Sequence, residues 1–509
     1  VERSDLKEDS FNPAKHTKFD TESDPSKRGH YEARFTEGMT YDGDVTLTFG
    51  QLFRERHMVN AVVGWSINSK KSDMEGYEAI GFPSSVMDHP LFSRGYPDNG
   101  KPLGSDAHSR AVGFYGQFGY VYDNRYLCDL SYRSDGASQF GANKRFVDAW
   151  SVGLAWNLHN EKFMQHADFA DMIKIRASVG TPGNQNFSSY QTLSVYNYDV
   201  SSSMRDRFDY LGAYLEKKGN PDLKWQQTLD QNFGLDLGFF NNRLMLSADA
   251  WNRLTKDLIA FIGTPSSTGY EGYLANVGNI RSVGFTLNAS GILIKRPADG
   301  FRWHMNLTMR HNKDTYRNIG DHLDYLNKEN VSKSLTRYVN GKSVTSLWAV
   351  KSLGIDPSTG QELFLKKDGQ ITVEHDFDDE VIVGDSREKL NGIVGTSLYY
   401  KGWSLNVNFR YSLGADKFNT ALFDKVENIS AANVKKNQDK RALYDRWKNP
   451  GDRAKFKAIG MTGKTEMSSR FVQKENYLSG ESIRLGYEAF DAKWMQAVGF
   501  TRFAVSLYL

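Results

Sequence analysis

Cysteine is almost missing from this chain. Cys128 is the only one among 509 residues, so neither an intramolecular disulfide nor a cysteine-rich metal site can form. No uninterrupted apolar run approaches the ~20 residues that a transmembrane helix needs, which excludes helical membrane spans. Long basic runs are absent as well: 64 Lys and Arg stand against 61 Asp and Glu, a net charge of +3, and nucleic acid is not implied as a partner. Hydrophobic residues make up only 39% and the mean hydropathy is -0.57, values that resemble those of a soluble protein. The chain opens at Val1 without a charged-then-apolar leader, so any secretion signal is expected to have been removed or to lie upstream.

Catalytic and metal motifs fail on their mechanics. Gly460-Met461-Thr462-Gly463-Lys464-Thr465 resembles a phosphate loop, but Ala458 stands where the first glycine belongs and the segment lies in a long loop. Lys367-Asp368-Gly369-Gln370, ahead of the acidic run 374–380, lacks the alternating carboxylates of a calcium loop; a solvated acidic loop is expected. The eleven histidines include no helical His-x-x-x-His pair, and His304 between Arg302 and Asn306 suits a polar surface better than a metal. No serine has a nucleophile-elbow context. No enzyme activity, cofactor or metal is expected.

What the chain does have is alternation. Leu229, Phe233, Leu235, Leu237 and Phe239 share one parity, and Thr228, Asp230, Asn232, Gly234, Asp236 and Gly238 share the other, so this strand has one apolar and one polar face. After Asn241-Asn242 the return strand sets Leu244, Leu246, Ala248 and Ala250 against Met245, Ser247, Asp249 and Arg253. A soluble sandwich core would reject those carboxylates. Similar strands are expected at 45–53, 58–69, around 114–122, 126–135, 150–156, 173–179, 283–287, 301–310, 394–400, 403–411, 483–487 and 503–509, giving about fourteen in all. Cys128 shares the apolar parity of Tyr126, Leu130 and Tyr132 and reads as a small hydrophobe facing lipid. Residues 1–44 are polar and weakly patterned, and are expected to be a loop or a weak strand region.

Connections between strands alternate in length. Asp123-Asn124, Asn241-Asn242, 295–300 and Lys401-Gly402 are tight or modest, whereas 70–109, 182–226, 312–389 and 414–476 are long. Bacterial outer-membrane barrels have short periplasmic turns and long extracellular loops. The fold class expected is therefore an all-β, transmembrane antiparallel β-barrel in the bacterial outer membrane. Aromatic residues at 13% suit interfacial girdles. The wet parity yields nine candidate lumen-facing residues: Asp129, Arg133, Arg176, Asp230, Asp236, Asp249, Arg302, Arg310 and Arg410. They could hydrate a polar solute.

Several words match a known family in order. Tyr132-Arg133-Ser134-Asp135-Gly136-Ala137-Ser138-Gln139-Phe140-Gly141 and Ile175-Arg176-Ala177-Ser178-Val179-Gly180-Thr181-Pro182-Gly183-Asn184-Gln185 come first. Asn220-Pro221-Asp222-Leu223-Lys224-Trp225, Gly234-Leu235-Asp236-Leu237-Gly238-Phe239-Phe240, Asn276-Val277-Gly278-Asn279-Ile280-Arg281 and Gly354-Ile355-Asp356-Pro357-Ser358-Thr359-Gly360 follow. Together they resemble the SusC/RagA family of TonB-linked outer-membrane transporters, over most of residues 45–509.

The resemblance implies a TonB-dependent importer of oligosaccharides or other polymer-derived nutrients, in some members peptides. Its implied partners are a SusD-like surface lipoprotein, the TonB complex through a plug region, outer-membrane lipid, and an oligosaccharide or peptide ligand. Family members carry a TonB-contacting segment and a plug ahead of the barrel, and neither is found before residue 45. Plugged transporters have about 22 strands, so 45–509 is expected to be a truncated part of such a barrel. With a plug in view, the nine polar residues have a second role open to them, hydrogen bonding to the plug or to one another. Two alternatives remain: a passive outer-membrane porin, and a soluble secreted β-rich glycan-binding protein.

Overall fold

Left-handed residues close the tight hairpins. Lys401 and Gly402 (φ 45° and 87°) form a two-residue turn of the I′ kind, and Asp123 and Asn124 (49° and 53°) and Asn241 and Asn242 (58° and 56°) bend slightly longer ones. Arg54 and Glu55 do the same at 48° and 58°, although neither residue type signals such a turn.

The computed structural model describes residues 1–83, 86–98, 100, 102–139, 143, 145–164, 169–182, 192–199, 212–298, 300–320, 323–429, 437–461, 463–490, 495 and 499–509. Phe140, Gly141, Gly183, Asn184, Gln185 and Thr462 of the words above lie outside them. One large sheet dominates. Its strands are β1 (Glu2–Asn12), β2 (His30–Phe53), β3 (His57–Ile80), β4 (Leu103–Tyr122), β5 (Tyr126–Ala137), β6 (Phe146–Asn157), β7 (Ala170–Gly180) and β8 (Gln227–Phe239). They continue as β9 (Leu244–Lys256), β10 (Asn279–Arg296), β11 (Phe301–Arg317), β12 (Leu390–Tyr400), β13 (Trp403–Phe418), β14 (Val472–Phe490) and β15 (Arg502–Tyr508). Each pairs antiparallel with its sequence neighbour, an up-and-down wall of fifteen strands against about fourteen expected.

The additional strand length lies toward the amino end. Residues 1–44 contain β1 and the first part of β2, and β2 and β3 run 24 residues each. The upper half of β3 departs from the alternation rule because its outward parity turns polar at Ser69, Lys71, Asp73 and Glu75, whereas the upper half of β2 keeps Tyr31, Ala33, Phe35, Met39 and Tyr41 on that parity and breaks it only at Glu37, opposite Asp73. Lower down the same parity is apolar and uncovered, with Val45 68% and Leu47 75% exposed.

Register carries both faces across the wall. On one, Leu235 lies between Ile175 and Ala248, and Phe233 between Ala177 and Ala250. On the other, Asp236 lies between Lys174 and Ser247. At the tight-turn end, Tyr122, Tyr126 and Trp156 stack at 6.4 and 6.3 Å, and Glu161 accepts from Tyr126 Oη at 2.7 Å and Trp156 Nε1 at 3.1 Å. Rings with a polar tip held this way suit a membrane interface.

The long connections leave the opposite end, at 81–102, 181–226, 257–278, 318–389 and 419–471. Three of them are shorter than the sequence suggested, because β3, β4, β11, β13 and β14 reach further. Gly369 (φ 89°) turns the chain between the paired segments Glu362–Leu365 and Ile371–Thr372, so the calcium-like word is a hairpin turn.

Candidate functional site

All nine candidate residues fall on the polar face of the wall. Six of them are held in ion pairs. Arg176 donates from Nε and Nη2 to the two oxygens of Asp236 at 2.7 and 2.9 Å, and its Nη1 lies 3.1 Å from Asp249. Gly234 sits directly opposite both Arg176 and Asp249, and a Cβ there would meet them at 2.7 and 2.8 Å. Three strands thus share one guanidinium because the middle one has no side chain at that row. Asp230 accepts from Arg253 Nε at 2.8 Å, and Arg133 Nε donates to Asp135 at 2.6 and 2.8 Å.

Arg410 binds both oxygens of Glu481 at 2.8 and 2.6 Å. Glu481 is the extra residue of a bulge, since Asn408 pairs with Ser482 and Phe409 with Gly480. The bulge re-aims its side chain. Parity counting missed Glu481 for that reason.

The other three candidates have no ion pair among the described residues. Asp129 is exposed between Gly119 and Gly153. Arg302 lies 4.6 Å over the Tyr399 ring. Arg310 lies 5.8 Å from the Trp251 ring, a partner that sequence reading did not single out.

A second assembly, also missed, joins the connections 318–389 and 419–471. Leu422, Phe423, Val426, Ala442, Phe456 and Phe471 form its apolar core, and Leu335, Leu347 and Ala349 pack beside Phe418 and Met467. Arg470 Nη2 reaches Glu362 at 2.7 Å and Glu427 at 2.9 Å, and both carboxylates are buried. Ser468 Oγ donates to Glu362 at 2.6 Å and Thr465 Oγ1 to Glu427 at 2.9 Å. Burial opposes the Arg470 charge, yet the bonds to Glu362 and Glu427 hold its pKa above the ordinary arginine value.

Arg446 has no such ion pair among the described residues. It donates to backbone carbonyls, among them Ala442 at 2.7 Å and Lys457 at 2.9 Å, and burial pushes its pKa down against the pull of Glu427. A clasp completes the assembly: Pro357 O accepts from Trp447 Nε1 at 2.9 Å and from Gly451 N at 2.7 Å. Gly360, at φ 75°, lies so close to Trp447 that a Cβ would come within 2.6 Å. The two connections therefore form one folded cap, which could present a surface to a large partner.

A family model described as TonB dependent receptor-like, beta-barrel matches residues 6–434. The chain belongs to that family. TonB-dependent receptor P39 of Formosa agariphila is 23% identical over 504 residues, covering 89% of this chain and 47% of that protein. TonB-dependent receptor SusC of Bacteroides thetaiotaomicron is 27% identical over 401 residues, covering 75% and 38%. The structure of the RagAB peptide transporter superposes with a TM-score of 0.85 at 22% identity, covering 99% of this chain and 54% of that one, a likeness of fold. The chain spans about half the length of the first curated relatives it matches. This receptor barrel is thus a SusC/RagA-like β-barrel of the outer membrane, and its relatives carry the names of receptors, not enzymes.

Proposed function

We propose that this receptor barrel forms the wall and outer surface of a TonB-dependent importer of oligosaccharides or other polymer-derived nutrients. In this reading the polar face lines the lumen and the apolar face meets lipid. A plug region would connect the barrel to the TonB complex, and a SusD-like surface lipoprotein would sit on the cap. The observation that carries it is the continuous two-faced wall, ion-paired on one side and uncovered apolar on the other, with the folded cap at one end only. A soluble glycan binder would leave too much apolar surface in water. Peptides are the second reading, favoured by the fold shared with a peptide transporter.

The test is uptake. Cells making the full-length receptor with its lipoprotein are offered labelled oligosaccharides and oligopeptides, with and without a protonophore. Uptake that the protonophore abolishes supports the importer, and the label taken up distinguishes the two substrate classes. Protonophore-resistant uptake that scales with solute size would favour the porin alternative.

A further inference from the structure

On the polar face, Arg302 and Arg310 of β11 lie against aromatic rings and have no ion pair among the described residues, and of the two only the ring beside Arg310 has a second guanidinium next to it. Arg133, Arg176, Arg253 and Arg410 are each fastened to a carboxylate. Arg310 is exposed and has no carboxylate within ion-pair distance among the described residues. What positions it is an aromatic ring. Trp251 on β9 lies across β10 at Gly284, where a Cβ would come within 2.5 Å of the indole. Seated at that gap, Trp251 is only 8% exposed, and on β11 the Arg310 guanidinium carbon stands 5.8 Å from its ring centroid.

A second guanidinium approaches the same indole. Arg253 lies 5.4 Å from the ring, but it is already held by Asp230 at 2.8 Å. The carboxylate nearest in register is Asp249, on the Arg310 row through Thr286; it is bound to Arg176. One indole thus has two cations beside it, and only one of them is neutralised by a direct partner. Like charges so placed raise the local affinity for an anion.

We propose that Arg310 and Trp251 form a binding site for a carboxylate group on a solute in the lumen. The proposal rests on the reading that the polar face lines the lumen. The planar guanidinium offers two parallel N–H donors that match a carboxylate, and the indole gives an apolar wall for the carbon that bears it. Such a group could come from an acidic side chain or chain end of an oligopeptide, or from a uronic acid of an oligosaccharide.

The experiment uses the full-length receptor in outer-membrane vesicles. Phenylglyoxal modification of Arg310, read by mass spectrometry, is followed with tetraglutamate, tetraglutamine, trigalacturonate or maltotriose present. Arg310 is expected to react faster than Arg176 and to be protected by one or both acidic oligomers but by neither neutral one. Which acid protects identifies the source. In parallel, binding of fluorescein-labelled tetraglutamate or trigalacturonate is expected to weaken about tenfold in Arg310→Gln and less in Arg310→Lys. An unreactive Arg310, or equal protection by neutral oligomers, overturns the site. Cysteines at Met309 and Arg310 separate this failure from that of the lumen reading: if a water-soluble maleimide labels the first and not the second, the polar face does not line the lumen.

Discussion

Arg176 and Asp236 clasp each other through two hydrogen bonds at 2.7 and 2.9 Å across neighbouring strands, and the room for that clasp comes from Gly234. Filling the space with Gly234→Val should push the guanidinium away from both Asp236 and Asp249. A loss of about 1 to 3 kcal/mol is expected for such overpacking, read as a lower denaturant midpoint of the refolded full-length barrel.

Adjacent positions on β8 should respond in opposite ways. Leu235→Arg is expected to cost about 2 to 4 kcal/mol if it lies near the bilayer midplane, whereas Asp236→Asn keeps the side chain's shape and should cost much less. Equal tolerance of the two in a folding titration would remove the assignment of faces.

Removing the cation of the cap should loosen both long connections at once. Arg470→Met leaves Glu362 and Glu427 buried without their shared partner, which is expected to cost about 3 to 5 kcal/mol. Hydrogen exchange should rise together at Glu362–Leu365 and Ala421–Glu427 while the β8–β9 ladder keeps its protection. Adding Glu362→Gln and Glu427→Gln should restore much of the loss.

Epitope tags report sidedness. Placed within 366–370 or 448–453, they should bind antibody on intact cells, because both segments belong to the long connections. Tags at Asn241 or Lys401 should bind only after the outer membrane is opened. The reverse pattern would invert the barrel.

The clasp at Trp447 should survive mild acid. Hydrogen bonds from Ser358 and Thr359 hold the Asp356 carboxyl below its ordinary 3.8. A depressed folded value means that the stabilisation is complete above the unfolded value and is lost as pH falls through the folded one. Quenching of Trp447 by acrylamide, taken as the difference from Trp447→Phe, should therefore stay constant down to about pH 4 and rise below it. In Asp356→Asn that acid transition should be absent.

Much of this was legible in the residues. The β8–β9 hairpin alternates cleanly through Phe233–Phe239, and Asn241-Asn242 marks its turn, so its two faces could be anticipated, whereas Trp251, an indole on the polar parity, could not be assigned a role from pattern alone. The first half of β2 carries the same pattern, with Tyr31, Ala33, Phe35, Met39 and Tyr41 on one parity, His30, Glu32, Arg34 and Asp42 on the other and a single break at Glu37, so the expectation of a loop or weak strand region there overlooked a signal that the residues hold. Glu481 was hidden by a bulge that breaks the period-two rule. Glu362 and Arg470 are 108 residues apart, and no local pattern marks a contact at that separation.

The length of β2 and β3 has a mechanical consequence. A strand needs about 9 to 11 residues to cross a bilayer, and these two have 24 each, paired rung for rung from His30–Ile80 to Phe53–His57. More than half of that ladder is therefore length beyond what one bilayer crossing needs, on the side of the long connections. A pull along the strand axis loads its hydrogen bonds together in shear, whereas a sideways pull would open them one at a time from the free end. Forces directed along the barrel axis would thus meet a stiff pillar, and lateral ones a zipper.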